Sequence, residues 1–290
     1  MALPSFVKKS LRIVRKLLPA PLTRKLSIAS GRRRLSGIET IACDAAPLPD
    51  FKRVTFAQWF EDDVVADAWR TVEQAIDELG VAEQRGGVNP GDRRAIYTLV
   101  RQWQPRNILE VGTHVGSSTV AISAAQDSLR RHSPDVSYGL TTVDLIDVND
   151  AATRRWEKFG SPASPRELLD KLGFAQHVKF VTSASLEFLH RCEEKYDFIF
   201  LDGSHFAPIV YREIPAALRV LAPGGWILLH DYFPDLRPLW SNGSLQAGPQ
   251  LAVRRLQAEG AALQAVPLGR LPWPTKCGSN ITSLALLTGA

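Results

Sequence analysis

Residues 107–119 read NILEVGTHVGSST, and the fold is decided there. Residues 107–111 form a short apolar run of the kind that makes a strand buried on both faces. Gly112 and Gly116 then allow a sharp turn and a close backbone approach to a ligand. Ser117, Ser118 and Thr119 open a helix, whose free N–H groups can meet a polar or negative group. In an open α/β sheet, ligands gather at the carboxyl ends of the strands, where this turn lies.

Working outward, the alternation repeats. Residues 140–144 (LTTVD), 179–182 (KFVT), 198–202 (FIFLD) and 226–230 (WILLH) read as further strands. Helical patterns separate them, most clearly over 208–221. Two more strands are expected near 263–267 and 281–288. Short buried strands alternating with helices predict a Rossmann-like, doubly wound α/β sheet covered on both faces. Upstream, apolar residues at helical spacing predict one helix over 56–80 and another over 92–104, with Gly86, Gly87, Asn89, Pro90 and Gly91 breaking the chain between them. The organisation expected is a basic tail over 1–38, a linker and helical cap over 39–90, and the main domain over 91–290.

The net charge of +5 belongs to the tail. Ten of the 35 basic residues and no acidic one fall within residues 1–38, leaving 25 basic against 30 acidic residues, a net of −5, in the rest. A mildly acidic body lacks the basic face that nucleic acid requires. In the tail, Phe6, Val7, Leu11, Val14, Leu17 and Leu18 recur near helical spacing with Lys8, Lys9, Arg12, Arg15 and Lys16 between them, and Pro19 and Pro21 read as its end. Such a helix suits an anionic membrane surface, with contact expected over residues 5–26; a solvated arm or a face for a homodimer partner is the alternative. No run of 18 uncharged apolar residues occurs. Cys43, Cys192 and Cys277 form neither a CxxC pair nor a zinc spacing, which points to a reducing, cytoplasmic setting.

Asp144 closes the second strand, where a carboxylate can accept both hydroxyls of a ribose. It follows Gly116 by 28 positions, long for a bare βαβ unit, so residues 126–138 read as an insertion. The Glu-x-Gly-x-x-x-Gly spacing departs from the Gly-x-Gly-x-x-Gly that cradles a pyrophosphate. His205, three residues past Asp202, can take a proton from a hydroxyl at neutral pH. His230 precedes Asp231 on the same strand and is expected to face the other way.

The stretch ILEVGTHVGSSTVAIS resembles the first motif of class I S-adenosylmethionine (SAM)-dependent methyltransferases of the catechol and caffeoyl-CoA O-methyltransferase type. YDFIFLDGSHFAPIVYREIPAALRVLAPGGWILLHDYF resembles their later motifs, and more closely those of bacterial relatives with Asp-Gly-x-His after the fourth strand, some of which methylate sugars. The resemblance spans residue 89 to the C-terminus. It implies an antiparallel last strand and a SAM pocket lined by Glu110, Gly112, Thr113, Gly116, Ser117 and Ser118. Asp144 would bind the ribose, Ser183, Ala184 and Ser185 would sit beside the adenine, and Asp202 would lie under the methionine part. In the metal-dependent members Asp202 and Asp231 would also hold a divalent cation such as Mg²⁺. Their third ligand, an Asn or Asp after the second, is replaced here by Tyr232.

The expected activity is methyl transfer from SAM to a hydroxyl of a small-molecule or sugar acceptor, with Asp202 and His205 as the catalytic residues. In-line alignment with the sulfonium does much of the work. A metal or His205 would deprotonate the hydroxyl. Trp240 and Trp273, in loops after the fifth strand, are candidate acceptor contacts. The competing readings are an NAD(P)-linked oxidoreductase on a related sheet and a non-catalytic scaffold that retains the SAM pocket.

Overall fold

The computed structural model describes residues 20–49, 56–81 and 87–289. Its centre is a seven-stranded sheet: β1 (Asn107–Val111), β2 (Gly139–Asp144), β3 (Val178–Thr182), β4 (Tyr196–Leu201), β5 (Leu221–Leu229), β6 (Leu263–Pro267) and β7 (Ala285–Gly289). The spatial order is β3-β2-β1-β4-β5-β7-β6. The first five strands pair in parallel, and β7 runs antiparallel to both β5 and β6. This is the doubly wound sheet expected from the alternating pattern, with its antiparallel last strand. The winding reverses between β1 and β4, the switch point at which such sheets hold ligands.

Strand periodicity sorts the core into two layers. Ile108, Phe198, Phe200, Trp226 and Leu228 face α4 (Pro90–Trp103), α5 (Ser117–His132) and α6 (Pro165–Leu172). Leu109, Val111, Ile199, Leu201, Ile227 and Leu229 face α8 (Ala207–Val220) and α9 (Gly248–Ala258). The short α7 (Ser185–Arg191) lies between β3 and β4 in the chain.

Several local features depart from the sequence reading. The predicted helix over 56–80 is two, α2 (Phe56–Phe60) and α3 (Asp63–Glu78), because Asp62 caps α3. Its carboxylate accepts from Val65 N at 3.1 Å and from Gln102 Nε2 at 2.8 Å, which pins the break against α4. Residues 126–138 are no insertion: α5 runs to His132, and the Gln126 amide donates to the Arg106 and Gly139 carbonyls that bracket β1 and β2.

The helix that Pro19 and Pro21 were read as ending lies outside the described residues, and Pro21 itself falls inside the next helix. It stands in the first turn of α1 (Ala20–Ser36), where a proline's missing N–H costs nothing. This helix occupies the second half of the segment read as a tail, and it is seated on the domain. Leu35 is buried, and the Arg255 guanidinium donates to the carbonyls of Leu35 and Ile38. Residues beyond it run along the sheet, where Gly289 N bonds Pro49 O at 3.1 Å and Gly224 N bonds Pro47 O at 3.1 Å. Of the proposed membrane-facing stretch, residues 5–19 lie outside the described residues. Among the described residues no helix is long and apolar enough to cross a membrane.

Candidate active site

A cavity of about 940 Å³ opens at the carboxyl ends of β1, β2, β4 and β5. Gly112, His114, Asp144 and Leu145 line one end, and Asp202, His205, His230 and Asp231 line the other. Its volume is at the upper end of the range for small-molecule sites. The backbone is strained around it. His114, Asp231 and Cys277 line the cavity with φ of 49°, 52° and 55°, a conformation that non-glycine residues hold only where the surroundings impose it.

The glycine turn is built for close approach. Gly112 has φ 102°, and a Cβ there would lie 2.5 Å from the Asp202 carbonyl oxygen, so only glycine lets β1 and β4 converge at their ends. Gly116, at φ 81°, starts α5 against Pro165 and is not among the residues lining the cavity.

Behind the turn, Glu110 is fully buried and accepts from Ser118 Oγ, Thr119 Oγ1 and Thr142 Oγ1, each at 2.6 Å. Thr113 Oγ1 extends this net to Thr142 at 2.6 Å. Burial outweighs the three hydroxyl donors and lifts the Glu110 carboxyl to about 7. Glu110, Thr113, Ser117 and Ser118 were expected in the pocket lining. They are instead buried and absent from its lining: Glu110, Thr113 and Ser118 join the net that ties β1, β2 and α5, and Ser117 is buried in the first turn of α5. Strand alternation explains Glu110: it shares the α5-facing side of β1 with Ile108.

Asp144 does reach the cavity. Its carboxylate accepts from His114 N at 2.9 Å and Ile146 N at 3.2 Å, which fixes its orientation. The His114 ring packs edge-on against Phe159 at 4.3 Å; its pKa is lowered by burial, against the pull of Asp144, so the ring is neutral at pH 7. Ser183, Ala184 and Ser185 do not line the cavity. Ser183 N bonds Asp144 O at 2.8 Å, and Ser185 Oγ donates to Glu213.

At the other end the main correction is His230. It was expected to face away from Asp231, yet its Nδ1 lies 2.8 Å from Asp202 Oδ1 and 4.0 Å from Asp231 Oδ1. Strand alternation stops at Leu229. His230 N still bonds Leu201 O, but Asp231 turns left-handed, so both side chains enter one cluster. On its far side, His230 Nε2 faces Asp92 Oδ2 at 3.5 Å. Asp92, in the first turn of α4, was missed by the sequence reading; it is fully buried, and no motif marks it. Burial disfavours a charged His230, but the Asp202 and Asp231 carboxylates, together with contact to Asp202 and Asp92, raise its pKa well above 6.5. His205 Nε2 sits 3.1 Å from Asp231 Oδ2 and 3.9 Å from Asp202 Oδ1.

Residues 109–232 match a family described as a methyltransferase domain. Much of the fold is also shared with solved proteins. An O-methyltransferase from Bacillus cereus solved with SAH is 18% identical, with TM-score 0.52 over 81% of this chain and 100% of that one. A Klebsiella pneumoniae protein solved as a candidate O-methyltransferase is 20% identical, with TM-score 0.53 over 81% and 99%. Cofactor-bound Rv0187 from MTB is 20% identical, with TM-score 0.50 over 77% and 89%. The central stretch thus resembles a methyltransferase domain, and the fold is one these solved proteins share.

The resemblance to metal-dependent methyltransferases can be tested on the donors present. Asp202 and Asp231 are both in the cluster, but each is engaged by an imidazole. Tyr232, at the position of the third ligand, is buried in the core on the α8 side. Among the described residues no group of three or more His, Cys, Asp or Glu is arranged to hold a metal ion. Among the described residues, the donor set of this cavity does not fit a divalent cation.

Of the two tryptophans, Trp240 lines the cavity, with Nε1 bonded to Ile281 O at 3.0 Å and the Lys276 ammonium 4.9 Å over its ring. Trp273 is buried and bonds Gly91 O at 2.9 Å, which makes it a fastening between the last loop and α4.

Proposed function

We propose that the protein transfers a methyl group from SAM to a hydroxyl of a small-molecule or sugar acceptor. One observation carries this reading: a single cavity joins the Gly112–Asp144 end to the Asp202–His205–Asp231 end. A nucleoside at the first end therefore has its reacting group directed toward titratable side chains at the second. Asp144 would accept from the ribose hydroxyls. Leu145, 72% exposed beside it, offers an apolar face to the base. The close approach of Gly112 to Asp202 leaves room for the methionine part over the ends of β1 and β4.

The chemistry required is modest. The acceptor oxygen bonds to the methyl carbon as the carbon–sulfur bond breaks, releasing S-adenosylhomocysteine, and the hydroxyl proton goes to His205. Asp231 holds the His205 Nε2–H, leaving the Nδ1 lone pair as the basic atom. Alignment of oxygen, methyl and sulfur within the cavity supplies much of the rate.

Calorimetric titration of the full chain with SAM tests the reading. Saturable one-site binding is expected, and NAD(P) should give no heat. A folded protein silent to SAM would sink it. In turnover on a hydroxyl acceptor, His205→Ala should cut kcat by at least about a hundredfold, as for loss of a general base.

A further inference from the structure

Two loops roof the His205–Asp231 end of the cavity. One follows β5 and contributes Trp240 and Gln246; the other precedes β7 and contributes Thr275, Lys276 and Cys277. Both are fixed to the site. A Cβ on Gly248 would strike the His205 carbonyl, and one on Gly91, beside Asp92, would strike the Pro274 carbonyl. Ser283 Oγ reaches Asp231 Oδ1 at 3.4 Å. Trp240 Nε1 and Thr275 Oγ1 donate to the same Ile281 carbonyl, at 3.0 and 2.7 Å, which ties the two loops together. The turn that carries Lys276 is closed by Thr275 N to Ser279 O at 2.7 Å and by Ser279 N to Lys276 O at 3.0 Å, with Cys277 and Gly278 both left-handed.

These constraints hold the exposed Lys276 ammonium 4.9 Å over the buried Trp240 ring. The carboxylates at this end are turned elsewhere, Asp202 to His230 and Asp231 to His205, and Lys276 forms no ion pair among the described residues. Arg155, which also lines the cavity, stands at the far end, in the short helix whose Phe159 packs on His114. We propose that the acceptor is a hydroxy acid, whose carboxylate is received by Lys276 while its hydroxyl is presented to His205. The turn and the ring already order the lysine, so little side-chain freedom is lost when an anion binds. A single ammonium suits the single charge of a carboxylate, whereas the guanidinium fork that grips a phosphate bidentately is at the cofactor end. The inference rests on the methyl-transfer reading and names the acceptor class of the same cavity.

The test pairs acids with neutral compounds of like hydroxyl pattern: 3,4-dihydroxybenzoate against catechol, and glucuronate against glucose. Each is titrated calorimetrically into the full chain, alone and saturated with S-adenosylhomocysteine. The acid of at least one pair should bind at least about tenfold more tightly than its neutral partner, as for one hydrogen bond to a charged group. Lys276→Met should equalise that pair, Lys276→Arg should keep the preference, and Lys276→Glu should reverse it. The side chain is exposed, so all three variants should melt with the wild type. Absence of any preference for the acid in both pairs would overturn the proposal, as would a preference that survives Lys276→Met undiminished. Tighter binding of glucose 6-phosphate than of glucuronate would overturn it too, by making the anion a phosphate. The methyl-transfer reading fails separately: a chain that does not bind SAM sinks that reading, while a preference for the acid that Lys276→Met removes is still read in the cofactor-free titration.

Discussion

The acidic residue at the end of β2 carries the sharpest single-residue expectation. Asp144 is oriented by two backbone N–H groups and faces the cavity. Asp144→Ala should weaken SAM binding at least about tenfold in calorimetry, the loss of one charged hydrogen bond; unchanged affinity would remove the ribose role. Asp144, Asp202, His205 and Asp231 were legible in the sequence because each lies at or just beyond the carboxyl end of a strand, and strand ends can be read from apolar runs. His230 was misread for a related reason: strand alternation was extended one residue too far, past a left-handed turn that no residue type announces. Asp92 left no trace at all. It is brought to the site by the packing of α4 on the sheet, a relation between residues more than a hundred positions apart.

Elements show the same limit. Strand positions followed from composition, whereas helix ends depended on single capping side chains such as Asp62, and Pro21 has opposite meanings at the start and the end of a helix. Where β1 meets β4, the crossing tolerates no side chain. Gly112→Ala should abolish SAM binding and lower the melting temperature, since the added methyl meets the Asp202 carbonyl at a φ only glycine holds easily. The contact of α7 with α8 makes a different expectation. Glu213 is buried with Ser185 as its bonded partner, and burial, only partly offset by that hydroxyl, lifts its carboxyl to about 7. Its pKa is raised on folding, so the fold favours the protonated form: this contribution is full below about 4.5 and is lost as pH rises through 7. Glu213→Gln should therefore gain stability relative to wild type as pH rises from 4.5 to 7, by up to about 3 kcal/mol, measured by denaturant unfolding across that range. A constant difference between the two proteins would mean that the carboxyl is not held neutral.

At the scale of the whole molecule the charge asymmetry and the packing disagree about where the domain begins. Charge divides the chain near residue 38, but α1 carries Arg24, Lys25, Arg32, Arg33 and Arg34 while its other side is fastened to α8 and α9. Leu35 fills the layer beneath the sheet, and Arg255 reaches across to two carbonyls at the end of the helix. The packing contributes more than the charge boundary suggests: burial of Leu35 alone is worth about 2 kcal/mol, and hydrogen bonds to a charged donor about as much again. Two truncations separate the possibilities. A chain beginning at residue 39 should melt several degrees lower than one beginning at residue 20, since each kilocalorie costs about 2–4 °C in a domain of this size. Both should bind SAM with unchanged affinity, because none of the residues lining the cavity comes from α1. Equal melting of the two truncated chains would make α1 a docked arm that the domain does not need. A loss of SAM affinity in the shorter chain would instead couple the basic helix to the site through α8, whose first residue follows His205 by two positions.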